Sequence, residues 1–169
     1  MCEIMASNYN NRNASVCLFE MGNEYLPKGG ELPEEPARMC FGMYGAQYDF
    51  YSMKGIIEKL LDTLGIVGAE YEPCKGTSEN FGEAPAFHPG RCAEVFKDGV
   101  AIGIFGELHP ETLENYGIGV KAYAAKLNLP EMMAASIQKV YKPLPKYPAT
   151  TRDLAVVCDE DIPVAHLEK

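Results

Sequence analysis

The sequence has no long uninterrupted apolar run. No stretch of its 169 residues approaches the roughly 20 consecutive apolar residues that span a bilayer, and residues 1–13 are polar, unlike a secretion signal. Positive charge is also scarce, because 24 acidic side chains outnumber 15 lysines and arginines and give a formal net charge of −9. Such a chain is a poor electrostatic match for nucleic acid or an anionic membrane. We therefore expect a cytoplasmic protein without membrane contacts, in which any RNA contact is local.

Recognisable metal and nucleotide motifs are also absent. None of the six cysteines stands two to four residues from another or next to a histidine, as zinc sites require. Cys17, Cys40 and Cys158 fall in apolar runs, where a reduced cysteine behaves as a small hydrophobic side chain. The sequence contains no nucleophile elbow, no GxxxxGK[ST] loop, no HExxH pair and no internal repeat. A thiol-bound metal is thus a minor hypothesis, which metal analysis of the reduced protein would test.

The clearest pattern that is present is a β-hairpin. Residues 93–96 and 100–108 are rich in apolar and β-branched side chains, and Gly99 between them supplies the positive φ that a tight turn needs. Neither face of the second strand is polar, so both faces should be covered by other elements. Pro110 should then begin a helix that ends at Gly117.

The other segments predict a mixture of helices and strands. Residues 14–21 should form a strand covered on both faces. Residues 22–38, dominated by Gly, Pro and Glu, should form a hairpin end and a surface loop without an element of its own. An apolar stripe predicts a helix that Ser52 caps and Gly65 ends. Shorter strands are predicted over residues 39–44, 69–72 and 120–129, and a last short helix from Pro130.

Prolines separate the end of the chain from the rest. Residues 141–148 hold three prolines and no hydrophobic period, which is typical of an extended, semi-stiff connector. After it, residues 152–159 alternate as a strand, and Ile162 and Pro163 are expected to open a helix. One strand and half a helix cannot form a core. We therefore predict a domain over residues 1–140, a linker over 141–148 and the start of another domain over 149–169.

Catalytic residue types concentrate at the two ends of the hairpin. They are His88, Arg91, Glu94, Glu107 and His109, and the hairpin could bring its two ends to one site. The alternative is that each His-Pro pair provides turn and cap chemistry while Arg91 pairs with a carboxylate, and this alternative is favoured. Glu20 interrupts an apolar strand, so it is either half-buried or a site residue.

Five motifs in order resemble the β subunit of bacterial-type phenylalanine–tRNA ligase. They are LFEMGNEYLP (residues 18–27), DFYSMKG (49–55), FHPGRCAEV (87–95), IGIFGELHPE (102–111) and KYPATTRDLAVV (146–157). The resemblance implies an α+β fold: a class II aminoacyl-tRNA synthetase-like antiparallel sheet flanked by helices, then an incomplete ferredoxin-like anticodon-binding domain. It implies structural or interface roles, not catalytic ones, for motif residues Glu20, His88, Arg91, Glu107, His109, Arg152 and Asp153. Arg152 and Asp153 would form a surface ion pair or an inter-domain contact.

The resemblance also implies a core that has lost the reaction. Active class II cores hold the ATP α-phosphate with an arginine on a strand that corresponds to residues 18–25, which contain none. A second ATP arginine follows a glycine-rich strand, and residues 122–133 lack both features. Without these cations the transferring phosphate has no local stabiliser, a deficit of several kcal/mol. We therefore expect no catalytic residue, cofactor or metal in this chain, and assign ATP and magnesium to the whole enzyme.

The implied partner is the α subunit, in an (αβ)2 heterotetramer that attaches phenylalanine to tRNA with ATP and holds the tRNA mainly through other domains. A separate hypothesis is a stand-alone hydrolase or transferase that uses His88, His109 and Glu107, and it requires these side chains to converge on an open pocket. Apolar surface exposed on the isolated chain should also promote self-association.

Overall fold

The computed structural model describes residues 1–74, 78, 81, 86–138, 140–141, 146–147, 150–159, 162 and 167. By its internal contacts the chain divides into two units, Met1–Lys139 and Val140–Lys169. Within the described residues, no helix is both long enough and apolar enough to cross a membrane.

The first unit is built on an antiparallel sheet with helices on both faces. Its helices are α1 (Cys2–Asn10), α2 (Phe50–Thr63), α3 (Pro110–Asn115) and α4 (Leu129–Ala135). Its strands are β1 (Val16–Asn23), β2 (Leu26–Lys28), β3 (Glu31–Glu34), β4 (Ala37–Tyr44), β5 (Glu70–Pro73), β6 (Phe87–Lys97), β7 (Val100–Leu108) and β8 (Ala122–Asn128). The main sheet has the order β1-β4-β8-β7-β6-β5, and β2 pairs with β3 separately. A mixed fold around an antiparallel sheet is therefore confirmed.

Alternation along the central strands divides the core between the two faces of the sheet. Phe105 on β7 belongs to the cluster that also contains Ile57 of α2 and Met132 of α4. Its neighbour Ile104 belongs to the other cluster, with Met5 of α1. Helices therefore cover both faces of the central strands, as the composition of β7 predicts.

The predicted hairpin is confirmed in its details. Asp98 and Gly99 both have positive φ, 51° and 78°, as a two-residue turn that matches strand twist requires. After β7, His109 is the N-cap of α3, Pro110 is its first residue, and Gly117 follows its end with φ 68°. The helix boundaries predicted from Pro110 and Gly117 are therefore correct.

The prediction of a covered strand over residues 14–21 is wrong in one respect. β1 lies at the edge of the sheet, and Phe19 and Met21 are 63% and 64% exposed. Cys17 on the same strand and Cys158 near the chain end are exposed free cysteines, whereas Cys40 is half-buried. The interpretation as buried hydrophobic side chains therefore fails for Cys17 and Cys158. For Cys17 the reason is that an apolar sequence alone does not distinguish an edge strand from a central one.

The prediction for residues 22–38 is correct in part, because this segment joins the antiparallel strands β1 and β4 as a hairpin end, but it also contains the β2–β3 pair. Leu26 pairs with Glu34, the side chain of Lys28 forms an ion pair with Glu34, and Gly30 turns the chain with φ 89°. The acidic, proline-rich composition of this segment does not indicate strands. The short hairpin is stabilised by its turn and by its ion pair rather than by burial.

Three helix starts differ from the prediction. Asp49, rather than Ser52, is the N-cap of α2, and Ser52 completes a capping box in which its backbone N lies 2.7 Å from Asp49 Oδ1. Helix α4 begins at Leu129, one residue before Pro130. Helix α1 was not predicted, because its apolar residues form no clear stripe, and its buried residues are Met5 and Ala6.

The predicted strand over residues 152–159 is wrong. The described stretch 150–159 contains no strand, and Leu154 and Val157 in it are 92% and 100% exposed. Alternating apolar residues form a strand only when a partner strand accepts their hydrogen bonds. Most of the helix expected from Ile162 and Pro163, and part of the linker over 141–148, lie outside the described residues, so the ferredoxin-like unit stays a prediction.

A disulfide that the sequence did not predict joins Cys74, at the end of β5, to Cys92 of β6, with 5.5 Å between the Cα atoms. Among the described residues, no group of three or more histidine, cysteine, aspartate or glutamate side chains could hold a metal ion.

Candidate functional site

The FHPGR motif forms a wide bulge in β6. Phe87 lies opposite Leu108 and Cys92 opposite Gly106, so that residues 88–91 face a single residue of β7, Glu107. Gly90 adopts φ 92°, which residues with a Cβ rarely adopt. Bulges of this kind redirect a side chain. Here the redirected side chain is that of Arg91.

Arg91 and Glu107 form an ion pair across this bulge. The Nε of Arg91 lies 3.1 Å from Oε2 of Glu107, and the two side chains are 45% and 6% exposed, respectively. Tyr123 of β8 lies opposite Glu107. Burial raises the pKa of Tyr123, the charges of Glu107 and Asp49 raise it further, and Arg91 opposes them. Glu107 is thus a buried, paired carboxylate beside a protonated phenol rather than a free base.

The two histidines lie near one another but have separate roles. Their ring centroids are 6.5 Å apart. Nδ1 of His109 accepts a hydrogen bond from the backbone N of Glu111 at 3.2 Å, which caps α3 and confirms the cap interpretation for this residue. Nδ1 of His88 is buried and has no hydrogen-bond partner in the described part of the chain.

In the part of the chain that the structure describes, the main cavities do not bring His88, His109 and Glu107 together. Neither histidine nor Glu107 lines the cavities that the described residues form beside Tyr44, beside Arg38 and beside Phe105. The hydrolase or transferase hypothesis required such a convergence. The geometry instead matches the alternative in two respects: His109 caps α3, and Arg91 is paired with the carboxylate of Glu107.

A second charged cluster was missed at the sequence level. The carboxylate of Glu24 accepts hydrogen bonds from Nε of Arg38 at 3.0 Å and from Nζ of Lys126 at 2.6 Å. Burial raises the pKa of Glu24, but the hydrogen bonds from Lys126 and Arg38 outweigh burial and hold it below its usual value. The available signal was Lys126, a charge inside the otherwise apolar strand β8.

This cluster lines a cavity of about 430 Å3 that also includes Glu20 and Cys40. Glu20 is half-buried, which was one of the two alternatives for it, and Oε1 of Glu20 lies 3.0 Å from the amino group of Met1. Since two carboxylates face the two cations there, little positive charge remains for a phosphate. Arg152 and Asp153 are both exposed, and their role in a surface pair or an inter-domain contact stays a prediction.

Comparison with known proteins identifies a family. Residues 1–129 match the family model described as the phenylalanyl tRNA synthetase beta chain CLM domain. The phenylalanine–tRNA ligase beta subunit of Clostridium tetani is 41% identical over 171 residues, which cover 99% of this chain and 21% of that relative. The corresponding subunit of Clostridium acetobutylicum is 38% identical with the same coverage. The chain therefore spans about a fifth of the length of the curated relatives it matches.

Solved structures share the fold. Two structures of pyrrolysyl-tRNA synthetase from Desulfitobacterium hafniense superpose with TM-scores of 0.58 and 0.59, over 78% of this chain and 45% of theirs. The sequences are 13% identical, so this likeness concerns the fold alone.

Proposed function

Because the chain belongs to the phenylalanyl-tRNA synthetase β chain family, we propose that it is a catalytically silent scaffold within the β subunit of phenylalanine–tRNA ligase. The whole enzyme attaches phenylalanine to its tRNA with ATP and magnesium in the cytoplasm. This chain supports an α subunit that carries out the chemistry, in an (αβ)2 assembly whose other domains hold most of the tRNA. Residues 149–169 begin the ferredoxin-like anticodon-binding domain.

The observation that carries the proposal is the neutralisation of the available cations. Enzymes that activate a substrate with ATP stabilise the charge on the transferring phosphate with positive groups that are free to face it. Here Glu24 accepts hydrogen bonds from both Arg38 and Lys126, and β1 carries no arginine. Arg91 is likewise paired, because its Nε forms an ion pair with the carboxylate of Glu107. A sheet whose cations are already paired suits a retained framework better than a catalytic site.

The experiment is ATP–pyrophosphate exchange with phenylalanine. We expect no exchange with the 169-residue chain alone and full exchange with the complete β subunit assembled with the α subunit. Lys126→Met in the complete β subunit should leave exchange within about twofold of the unmodified enzyme, because a residue outside the reacting site affects the rate only through assembly. Exchange by the chain alone would contradict the proposal. A large loss of exchange in a fully assembled Lys126→Met enzyme would also contradict it.

A further inference from the structure

A cavity of about 800 Å3 lies at the end of the sheet where Tyr44 of β4 pairs with Ala122 of β8, and the scaffold role does not use it. Its walls come from residues within 9–14, 44–48 and 120–123, three segments that are distant along the chain and all lie in the first unit. Its size lies within the ~300–1,000 Å3 that is typical of small-molecule sites. The fold therefore builds a concave surface at this end of the sheet.

Two cations without carboxylate partners line this cavity. Arg12 and Lys121 are both exposed, and neither forms an ion pair with any residue that the structure describes. None of the described residues that line the cavity is acidic. The half-buried side chains of Tyr9 and Tyr48 form part of the walls and add aromatic surface and hydroxyl groups. The lining therefore combines the positive charges of Arg12 and Lys121 with partly accessible rings.

Two carboxylates outside the cavity act on this region, and both are already occupied. Burial raises the pKa of Tyr123, a lining residue, and the charges of Glu107 and Asp49 raise it further, so its phenol adds no negative charge. Glu107 is paired with Arg91. Oδ1 of Asp49 accepts hydrogen bonds from the backbone N and the Oγ of Ser52 at 2.7 and 2.8 Å. Neither carboxylate therefore serves as the partner of a cation that lines the cavity.

Arg12 has a backbone conformation that arginine rarely adopts. Its φ is 62°, and it directly follows Asn11, the C-cap of α1. The backbone N of Arg12 donates to the carbonyl oxygen of Tyr9 at 2.9 Å, and that of Asn13 donates to the carbonyl oxygen of Asn8 at 3.1 Å. These are the hydrogen bonds of a Schellman helix ending, in which glycine is usual at the position of Arg12. Such strain is concentrated at functional sites, and here it places a guanidinium group at the cavity.

We propose that this cavity binds a small aromatic phosphate monoester, with its phosphate between Arg12 and Lys121 and its ring against the half-buried tyrosines of the walls. Guanidinium and ammonium groups bind phosphate oxygens through charge-assisted hydrogen bonds, which are roughly twice as strong as neutral ones. A phosphate monoester carries about −1.5 to −2 charges at neutral pH, which matches two cations. A sulfate ester or a carboxylate carries a single negative charge, so the same pair of cations binds it less strongly.

The test is a titration of the complete 169-residue chain at about pH 8, where the phosphate ester is doubly ionised, followed by NMR. We expect saturable binding of phenyl phosphate with a dissociation constant on the order of 1 mM, as the number of its atoms allows, and shifts of the ring resonances of Tyr9 and Tyr48. Phenyl sulfate, which has the same shape and one charge fewer, should bind at least about threefold more weakly. Inorganic phosphate, which has no ring, and phenol, which has no phosphate, should also bind more weakly.

Two variants test the assignment without disturbing the core. Lys121→Gln should weaken phenyl phosphate binding by about fivefold, whereas Lys59→Gln, the same charge change on an 80% exposed residue of α2, should leave it unchanged. Arg12→Gly removes the guanidinium but places the residue best suited to φ 62° at the helix ending. This variant should therefore bind about fivefold more weakly while its thermal unfolding midpoint stays the same or rises.

Four results would overturn the proposal. They are the absence of saturable phenyl phosphate binding, equal binding of phenyl sulfate, equal effects of Lys121→Gln and Lys59→Gln, and full binding by the Arg12→Gly variant. Because Arg12→Gly is expected to keep the fold intact, a loss of binding in this variant is attributable to the missing guanidinium group rather than to unfolding.

Discussion

Glu107 is buried and Arg91 is half open to water, although 3.1 Å separates their charged atoms. Arg91→Ala would leave a buried carboxylate without its cation, and removing one partner of such a pair is costly. Since water reaches the position of Arg91, we expect a loss of about 2 kcal/mol in the free energy of unfolding, at or below the lower end for fully buried pairs. Urea unfolding would measure it. The double variant Arg91→Ala with Glu107→Gln should recover part of the loss, and no recovery would contradict the explanation.

Glu24 should make the stability of the chain depend on pH in the acid range. Its pKa in the folded protein lies below the ordinary value of 4.5, so its stabilisation is complete above that value and is lost as the pH falls through the folded pKa. Glu24→Gln should therefore reduce the free energy of unfolding at neutral pH, and the difference should shrink below about pH 4.5. In the Lys126→Met variant the pKa of Glu24 is lowered less, so the loss of stability on acidification should begin at a higher pH. A difference between the wild-type chain and Glu24→Gln that stays constant down to acid pH would contradict this prediction.

Gly106 and Gly55 should respond to alanine in opposite directions. A Cβ at Gly106 would lie 2.5 Å from the carbonyl oxygen of Arg91, which is backbone and cannot move aside, so Gly106→Ala should cost about 1–3 kcal/mol. A Cβ at Gly55, within α2, meets nothing within 4 Å, so Gly55→Ala should stabilise by about 0.5–1 kcal/mol. Thermal or urea unfolding of both variants measures the contrast, and a tolerated Gly106→Ala would show that the bulge can relax.

The exposed edge formed by β1 should promote self-association of the isolated chain. Phe19 and Met21 present apolar surface beside unpaired backbone groups, the combination that invites edge-to-edge contact. Phe19→Lys should lower the apparent mass measured by light scattering at high concentration. Val67→Lys introduces the same charge at a residue that is 73% exposed but lies outside the sheet, and it should have no such effect. A wild-type chain that stays monomeric at high concentration would refute the prediction.

Sequence patterns correctly predicted the turns and helix ends whose conformation depends on neighbouring residues in the chain. The Asp98-Gly99 turn and the Pro110 helix start depend on backbone preferences of the residues themselves, so they were predicted correctly. Whether a strand lies at the edge or in the centre depends on which strands pair, which residues 14–21 do not encode alone. The same limit explains residues 152–159, where alternation was present but no described residues supply a partner strand.

The candidate site was predicted less completely, because its contacts join distant segments. Pairing of Arg91 with a carboxylate was foreseen, since Glu107 is on the other strand of the same hairpin. The link between Glu24 and Lys126 was not foreseen, because it depends on β8 lying beside β4. The stacking of Phe50 of α2 on Phe105 of β7 likewise joins segments that are distant along the chain.

The central position of β8 has a consequence for the order of folding. It is the last strand of the sheet along the chain, yet it lies between β4 and β7. During synthesis, the β1–β4 pair and the β5–β6–β7 group can each form from nearby segments, but their inner edges stay unpaired until residues 122–128 have left the ribosome. Insertion of this one strand then joins the two halves. The nascent chain is therefore most exposed to misassembly in the interval just before β8 emerges.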